Sequence, residues 1–418
     1  MESILLPSEI ELYIDTMMPQ KMENIGSQQW FDWHQRIQKL NQQALIEASV
    51  LKEEQVKETL VSFGKLNVLT HEAILINIWK HKVLPHILKL QPYPDSTFIV
   101  YSILYHEAVC VALLELVLYH PNCCEALEDT SGDLLEYVTG NVSQLLSVKL
   151  TEPNNQEAPV DEINRQKNSL TFDIGIRSLS IVRYIAENLE GLPLNVRSKM
   201  YADYDVPVLF TEIMLAAPWA KNGKVYSGGS WKAWDNEQLG QSEAQVWLTL
   251  RHLLLDPDCP KYYPLTESRR NHLAKLLPLM KPTLLDQLSP LIELNHWLCR
   301  VNFLDQSAAP PKPLLIEALL EIKEKILRQT GGKWKKLAEK QLPVVFTTDK
   351  TLLFDIASKL SDAYNAELLE KFEVKSQAKC AQCGKEAIQR CGRCQKAWYC
   401  NRICQTDHWG EHKKQCCL

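Results

Sequence analysis

Eight of the chain's thirteen cysteines fall in its last 39 residues, CAQCGKEAIQRCGRCQKAWYCNRICQTDHWGEHKKQCCL. No other feature narrows so sharply what part of this chain can fold into. The ligand-type residues run C-x2-C-x7-C-x2-C-x5-C-x3-C-x7-H-x3-C, through Cys380, Cys383, Cys391, Cys394, Cys400, Cys404, His412 and Cys416. Eight such ligands make two tetrahedral zinc sites. Each C-x2-C pair offers two thiolates from one tight turn, with Gly384 and Gly392 placed to help the chain bend. A segment this short cannot fold on apolar burial alone, so two Zn2+ ions are expected to supply its folding energy. The N-terminus, MESILLPSEIELYIDTMM, is acidic and lacks the basic start of a signal or transit peptide. That points to a reducing compartment, where clustered cysteines are metal ligands rather than disulfides.

The remaining sequence reads as helix. Only 15 glycines occur in 418 residues, below the usual share of about 7%, and Leu, Glu, Lys and Ala abound. In 71–90, Leu75, Trp79, Val83 and Ile87 recur every four residues and mark an amphipathic helix, which Pro85 kinks or ends early. Further helices are expected near 29–50, 97–119, 130–149, 165–189, 242–255, 266–280, 283–304, 312–329 and 350–373, the last capped by Asp349. The most apolar run, 98–120, is interrupted by His106, Glu107 and Glu115, so it reads as a buried core helix rather than a membrane insertion.

Three polar breaks organise the chain. Residues 151–166 read as a loop or linker between an N-terminal helical half, 1–150, and a second half, 167–373. Residues 217–241 read as a long surface loop pinned by Trp219, Trp231 and Trp234, and 307–313 as a proline-rich connector. The triplet HEA occurs at 71 and at 106, a spacing of 35 residues that suits one helical hairpin of a repeat. The expected architecture is therefore mainly α, an irregular armadillo- or HEAT-like helical array, followed by a small C-terminal finger over 376–418.

Catalytic patterns do not emerge. HEAIL and HEAVC lack the second histidine of a zincin site, GGSWK lacks the last glycine of a nucleophile elbow, and GGKWKK lacks most of a phosphate loop. Cys110, Cys123, Cys124, Cys259 and Cys299 make no ligand spacing and read as buried small hydrophobes. The chain is therefore read as no enzyme. A net charge of −5 argues against nucleic acid as a partner of the whole chain. The cysteine-rich tail carries +4, which seven thiolates and two zinc dications would bring near +1, too little for phosphate-driven binding.

The ligand spacing, with WYC at 398–400 and CQTDHWGEHKKQC at 404–416, resembles a MYND-type zinc finger at all eight ligand positions. That resemblance implies interleaved sites, with Cys380, Cys383, Cys400 and Cys404 on one zinc and Cys391, Cys394, His412 and Cys416 on the other. His408 reads as a side chain on the exposed face of the last helix and Cys417 as a bystander. Members of the family dock peptides, several of them proline-containing, and Gln405 and Trp409 match groove positions. Trp409 has two readings, a flat docking surface or a cap on the finger's own core. Gly392 lacks the side chain some peptide binders carry at its position. The SET domain that flanks the finger in the methyltransferase branch has no counterpart in 1–373.

The helical segments LINIWKHKVLP (75–85), YHEAVCVALLELVLYH (105–120), SEAQVWLTLRHLLL (242–255), TLLDQLSPL (283–291) and GGKWKKLAEKQL (331–342) are similar to the MYND-finger factors of cytoplasmic axonemal dynein-arm preassembly. This resemblance implies a non-enzymatic adaptor, or co-chaperone-like assembly factor. It implies dynein chains as clients, and Hsp90 and Hsp70 chaperones, their co-chaperones and a leucine-rich-repeat assembly factor as partners. The expected location is the cytoplasm of ciliated cells, towards centrosomes and basal bodies. The alternative is a nuclear transcriptional corepressor adaptor that uses the finger for peptide binding.

Overall fold

The computed structural model describes residues 4–50, 54–154, 157–234, 238–301, 320–361, 380–383, 385, 389–391, 397–413 and 416. They divide into two compact units, Met1–Lys359 and Leu360–Leu418. The first is mainly helical. It opens with α1 (Pro7–Asp15), α2 (Gln28–Val50), α3 (Gln55–Ser62), α4 (Leu66–Lys82), α5 (Leu84–Leu90), α6 (Phe98–Leu118), α7 (Pro121–Glu125) and α8 (Thr130–Gln144). It continues with α9 (Pro159–Glu187), α10 (Leu194–Ser198) and α11 (Val206–Ala216), then strands β1 (Ala220–Lys221), β2 (Lys224–Ser227) and β3 (Ser230–Ala233). After these come α12 (Gln241–Leu255), α13 (Cys259–Tyr262), α14 (Glu267–Ala274), α15 (Pro282–Gln287), α16 (Leu291–Arg300), α17 (Glu321–Thr330), α18 (Trp334–Val345) and α19 (Lys350–Ser361).

A long apolar helix forms the middle of this unit. Helix α6 is long and apolar enough to cross a bilayer, but it is packed against α2, α4 and α9 and most of it is buried. From there the array runs on through α9 to α12 and α16. Gly175 lets α9 lie close on α8, since a Cβ there would come within 3.1 Å of the Asn141 carbonyl and 2.6 Å of the Leu145 side chain. The array is also closed on itself: α17 packs on α4 and α8, and α18 on α5.

Pro85 acts as the sequence predicts. The helix entering it ends at Lys82, Val83 donates to Trp79 O at 2.9 Å, and α5 restarts with Pro85 in its first turn. There the missing amide costs nothing. Elsewhere the boundaries move. The expected loop at 151–166 is helical from Pro159 onward. Proline occupies the first turn, Ala158 is extended, and Asp161 and Glu162 complement the positive helix N-terminus. That helix packs on α6 and α8, and both expected halves lie within the one compact unit Met1–Lys359.

The expected loop at 217–241 is a three-stranded antiparallel meander, β1-β2-β3. Its turns are Asn222-Gly223 and Gly228-Gly229, all four residues at positive φ, the two-residue hairpin turns that suit strand twist. Trp219 is fully buried, Trp231 stacks on Phe172, and Trp234 is half-buried with its indole N–H on Gln238 O at 2.9 Å. Expected helix 130–149 stops at Gln144, 266–280 splits around Lys275, and 283–304 breaks over 288–290, with Pro290 capping the helix that follows. Helices α1, α3, α7, α10, α11 and α13 lie outside the expected ranges. The connector 307–313 and residues 312–319 and 362–373 of two expected helices lie outside the described residues.

Candidate metal centre

The second unit builds its site from short local pieces. Strand β4 (Gln389–Arg390) pairs antiparallel with β5 (Trp398–Tyr399). Cys380 donates its amide to Lys385 O at 2.7 Å, closing the turn that carries the first C-x2-C pair, and Ala381 N donates to Trp398 O at 2.8 Å. Cys391 leaves β4 and its amide is held by Ala397 O at 2.8 Å. Helix α20 (Arg402–His412) then follows. Asn401 Oδ1 accepts the Cys404 amide at 2.9 Å, so a side-chain cap fixes the first turn of the helix that carries Cys404. His412 sits eight residues on, on the same face.

Two groups of ligand atoms result, each with all its atoms within 4.8 Å of one another: Cys380, Cys383, Cys400 and Cys404, and Cys391, His412 and Cys416. Cys394, expected beside the second group, lies outside the described residues, as do Gly384, Gly392 and Cys417. The grouping matches the interleaved pairing that the resemblance implies. Sulfur separations test the fit. Cys383–Cys400 and Cys400–Cys404 are 3.5 Å apart and Cys391–Cys416 3.9 Å. A tetrahedron with Zn–S bonds of 2.3 Å spaces its sulfurs by about 3.8 Å, whereas a disulfide needs about 2.05 Å.

The electrostatics point the same way. Burial opposes ionisation of Cys380, yet the backbone amides of Cys400, Cys383 and Gln382 bring its thiol down to about 6. Cys404 is pushed up to about 12, first by its hydrogen bond with Cys400, then by burial and the neighbouring thiols. One thiolate forms readily and hinders the rest, the pattern of like groups sharing one site. A dication removes that conflict and would bind the group as four thiolates.

Around the ligands a very small core forms. Tyr399 is fully buried in a cluster with Cys380, Cys391 and Cys416, and Ala397, Cys400, Cys404 and Trp409 pack against that cluster. Tyr399 OH lies 3.0 Å from His408 Nδ1, and the His408 ring stacks on His412 at 6.0 Å. His408 is thus half-buried against Tyr399 and lies in neither ligand group. Trp409 is half-buried with its ring edge-on to His412 at 5.9 Å, and Gln405 is half-buried one turn from the N-terminus of α20. Trp409 therefore covers the finger's core with one part of its surface and leaves another part accessible.

Sequence reading missed the interior polar clusters of the helical unit. The two HEA triplets lie on packed neighbours, α4 and α6. Glu72 is fully buried. It accepts from the Gln20 amide (2.8 Å) and the Trp33 indole (3.3 Å), and it sits 3.1 Å from His71 and 3.4 Å from His106. Glu107 accepts from Asn77 (2.9 Å), Lys80 (2.8 Å) and Tyr137 (2.9 Å). Both carboxylates are saturated by donors, which is how buried charge is tolerated. The signal was the pair of glutamates inside apolar helices.

Comparison with known proteins agrees with this geometry. Residues 380–416 match the MYND finger family model. The chain is 35% identical to the zinc finger MYND domain-containing protein 10 homolog of Drosophila melanogaster over 98% of each chain. Shorter likenesses cover about a tenth of the chain or less. Deformed epidermal autoregulatory factor 1 of Drosophila melanogaster is 41% identical over 44 residues, 10% of this chain and 8% of that one. Human N-lysine methyltransferase SMYD2 is 50% identical over 32 residues, 8% of this chain and 7% of the enzyme. No solved structure matches the chain.

Proposed function

The chain belongs to the zinc finger MYND domain-containing protein 10 family, and on that premise we propose that it is a non-enzymatic adaptor for the assembly of axonemal dynein arms. The observation that carries this reading is the likeness along both units: 98% of each chain aligns, not the finger alone. In this reading the helical unit engages dynein chains or their Hsp90 and Hsp70 chaperones and co-chaperones. The finger, held by two Zn2+, docks a partner such as the leucine-rich-repeat assembly factor through Gln405 and Trp409. The work is done in the cytoplasm of ciliated cells. A helical array offers extended surface for large clients, and the accessible part of Trp409 offers an apolar anchor of the kind that dominates small docking sites.

Affinity purification from differentiating ciliated cells, read by mass spectrometry, tests this. Wild type is expected to recover dynein chains and chaperones. Trp409→Ala, checked for retained zinc, and Cys391→Ala are expected to lose the same defined subset. Recovery of chromatin corepressors instead, with nuclear staining, would favour the corepressor reading. A catch that ignores both finger variants would remove the docking role.

A further inference from the structure

One cleft in the helical unit has the opposite electrical character from the acidic chain around it. It is about 390 Å³ and is lined by Lys80, His81, Gln144, Lys149, Lys167 and Thr171, with Ser147, Val148 and Asn168 completing the wall. The C-terminal turn of α4, the chain leaving α8 and the middle of α9 converge there. No carboxylate lines it. Lys80 is buried, 4% exposed, and its ammonium is pinned to Glu107 at 2.8 Å. Glu107 also accepts from Asn77 and Tyr137, so its capacity is spent on that pair. Lys167 reaches only a neutral acceptor, Asn164 Oδ1 at 3.2 Å. Among the described residues, neither Lys149 nor Lys167 has an ion-pair partner.

We propose that this cleft binds a phosphorylated ligand, taking its phosphoryl group between Lys149 and Lys167. Both unpaired cations line the one cleft, and an oxyanion would supply the missing charge through short charge-assisted hydrogen bonds. Neutral donors from Gln144, Asn168 and Thr171 lie in the same wall and suit the remaining phosphate oxygens. The field inside the cleft is positive: Lys167 is shifted down by burial and then by the charge of Lys80. Groups displaced this way in a cleft mark binding sites more often than bare surface does. The site is independent of the zinc finger and of any docking there.

Calorimetry on the full-length zinc-loaded chain tests it with three probes: inositol hexakisphosphate, inorganic phosphate, and a phosphoserine hexapeptide beside its unphosphorylated counterpart. At least one phosphorylated probe is expected to bind. Lys167→Gln and Lys149→Gln are each expected to weaken that binding by about tenfold or more, as loss of one charge-assisted contact does. Lys82→Gln, which removes the same charge just outside the cleft, is expected to leave it within about twofold. Preference for the hexakisphosphate would identify a soluble phosphate compound as the source, and preference for the phosphopeptide a modified protein. No binding at millimolar probe, or equal weakening by Lys82→Gln, would overturn the proposal. Unchanged melting of the variants without ligand separates lost binding from lost folding.

Discussion

The indole N–H of Trp79 donates to Gln341 Oε1 at 2.9 Å, across 262 residues of sequence. The other end of that amide donates to Met22 O at 2.8 Å, so one buried side chain ties the N-terminal segment, α4 and α18 together. An ideal solenoid carries only neighbour contacts. Here the array has a clasp.

Gln341→Leu keeps the volume and removes both bonds. It leaves a buried indole N–H and a carbonyl unpaired, each costing roughly 1–3 kcal/mol. The urea midpoint of the helical unit is expected to fall accordingly. A midpoint unchanged within error would show that α18 contributes nothing to holding the array shut.

Lys80 and Glu107 form a pair with side chains 3% and 1% exposed. Glu107→Gln leaves the ammonium buried without its counter-charge, an expected loss of roughly 3–5 kcal/mol. Lys80→Met together with Glu107→Gln removes both charges and is expected to cost clearly less than the two single losses added. Strict additivity in this cycle would mean the two groups do not interact.

Acid sensitivity follows from two groups around the first HEA triplet. Burial pushes the Glu72 carboxyl up, but the adjacent imidazoles of His106 and His71 outweigh it and bring the group down to about 2. Its stabilisation is complete above the unfolded value of about 4.3 and is lost as pH falls from there through 2. Burial, then the charge of His106, holds His34 well below its ordinary range. The folded state keeps it neutral while the unfolded chain takes a proton below about pH 6.5, so stability falls with pH from that point by up to about 1.4 kcal/mol per unit. Denaturation midpoints measured from pH 7 to 5 are expected to drop, and His34→Gln to flatten the drop. An equal slope in both proteins would rule His34 out as its source.

Two zinc ions per chain are expected by elemental analysis, falling to one in Cys383→Ser and in Cys391→Ala. Chelation is expected to abolish the finger's dispersed amide resonances while most of the far-ultraviolet helical signal, which belongs to Met1–Lys359, persists. Full signal dispersion in metal-free protein would show that the Tyr399 core folds the finger unaided.

The finger was legible because its determinants are local. C-x2-C spacing places two thiols from one turn whatever the rest of the chain does, and the ligand types name the metal chemistry. The interleaved grouping came from the family resemblance, and the folded chain brings seven of the eight expected ligands together that way. The meander at 220–233 was legible too, in Asn222-Gly223 and Gly228-Gly229, but three tryptophans drew the reading toward a pinned loop. Helix α9 was cut short because Pro159 was counted as a breaker when it occupies the first turn, where proline is welcome.

By itself the sequence determined the helical class, the buried nature of 98–118, the break at Pro85 and the metal-ligating tail, since each follows from periodicity, ring geometry or spacing within a few residues. Tertiary structure alone decided that α18 returns to Trp79, that Glu72 meets His106, that Glu107 is spent on Lys80, and that Lys149 and Lys167 are left unpaired in one cleft. Those relationships join residues distant in sequence. They exist only once packing has chosen which helix faces which, and periodicity marks a buried face without naming what covers it.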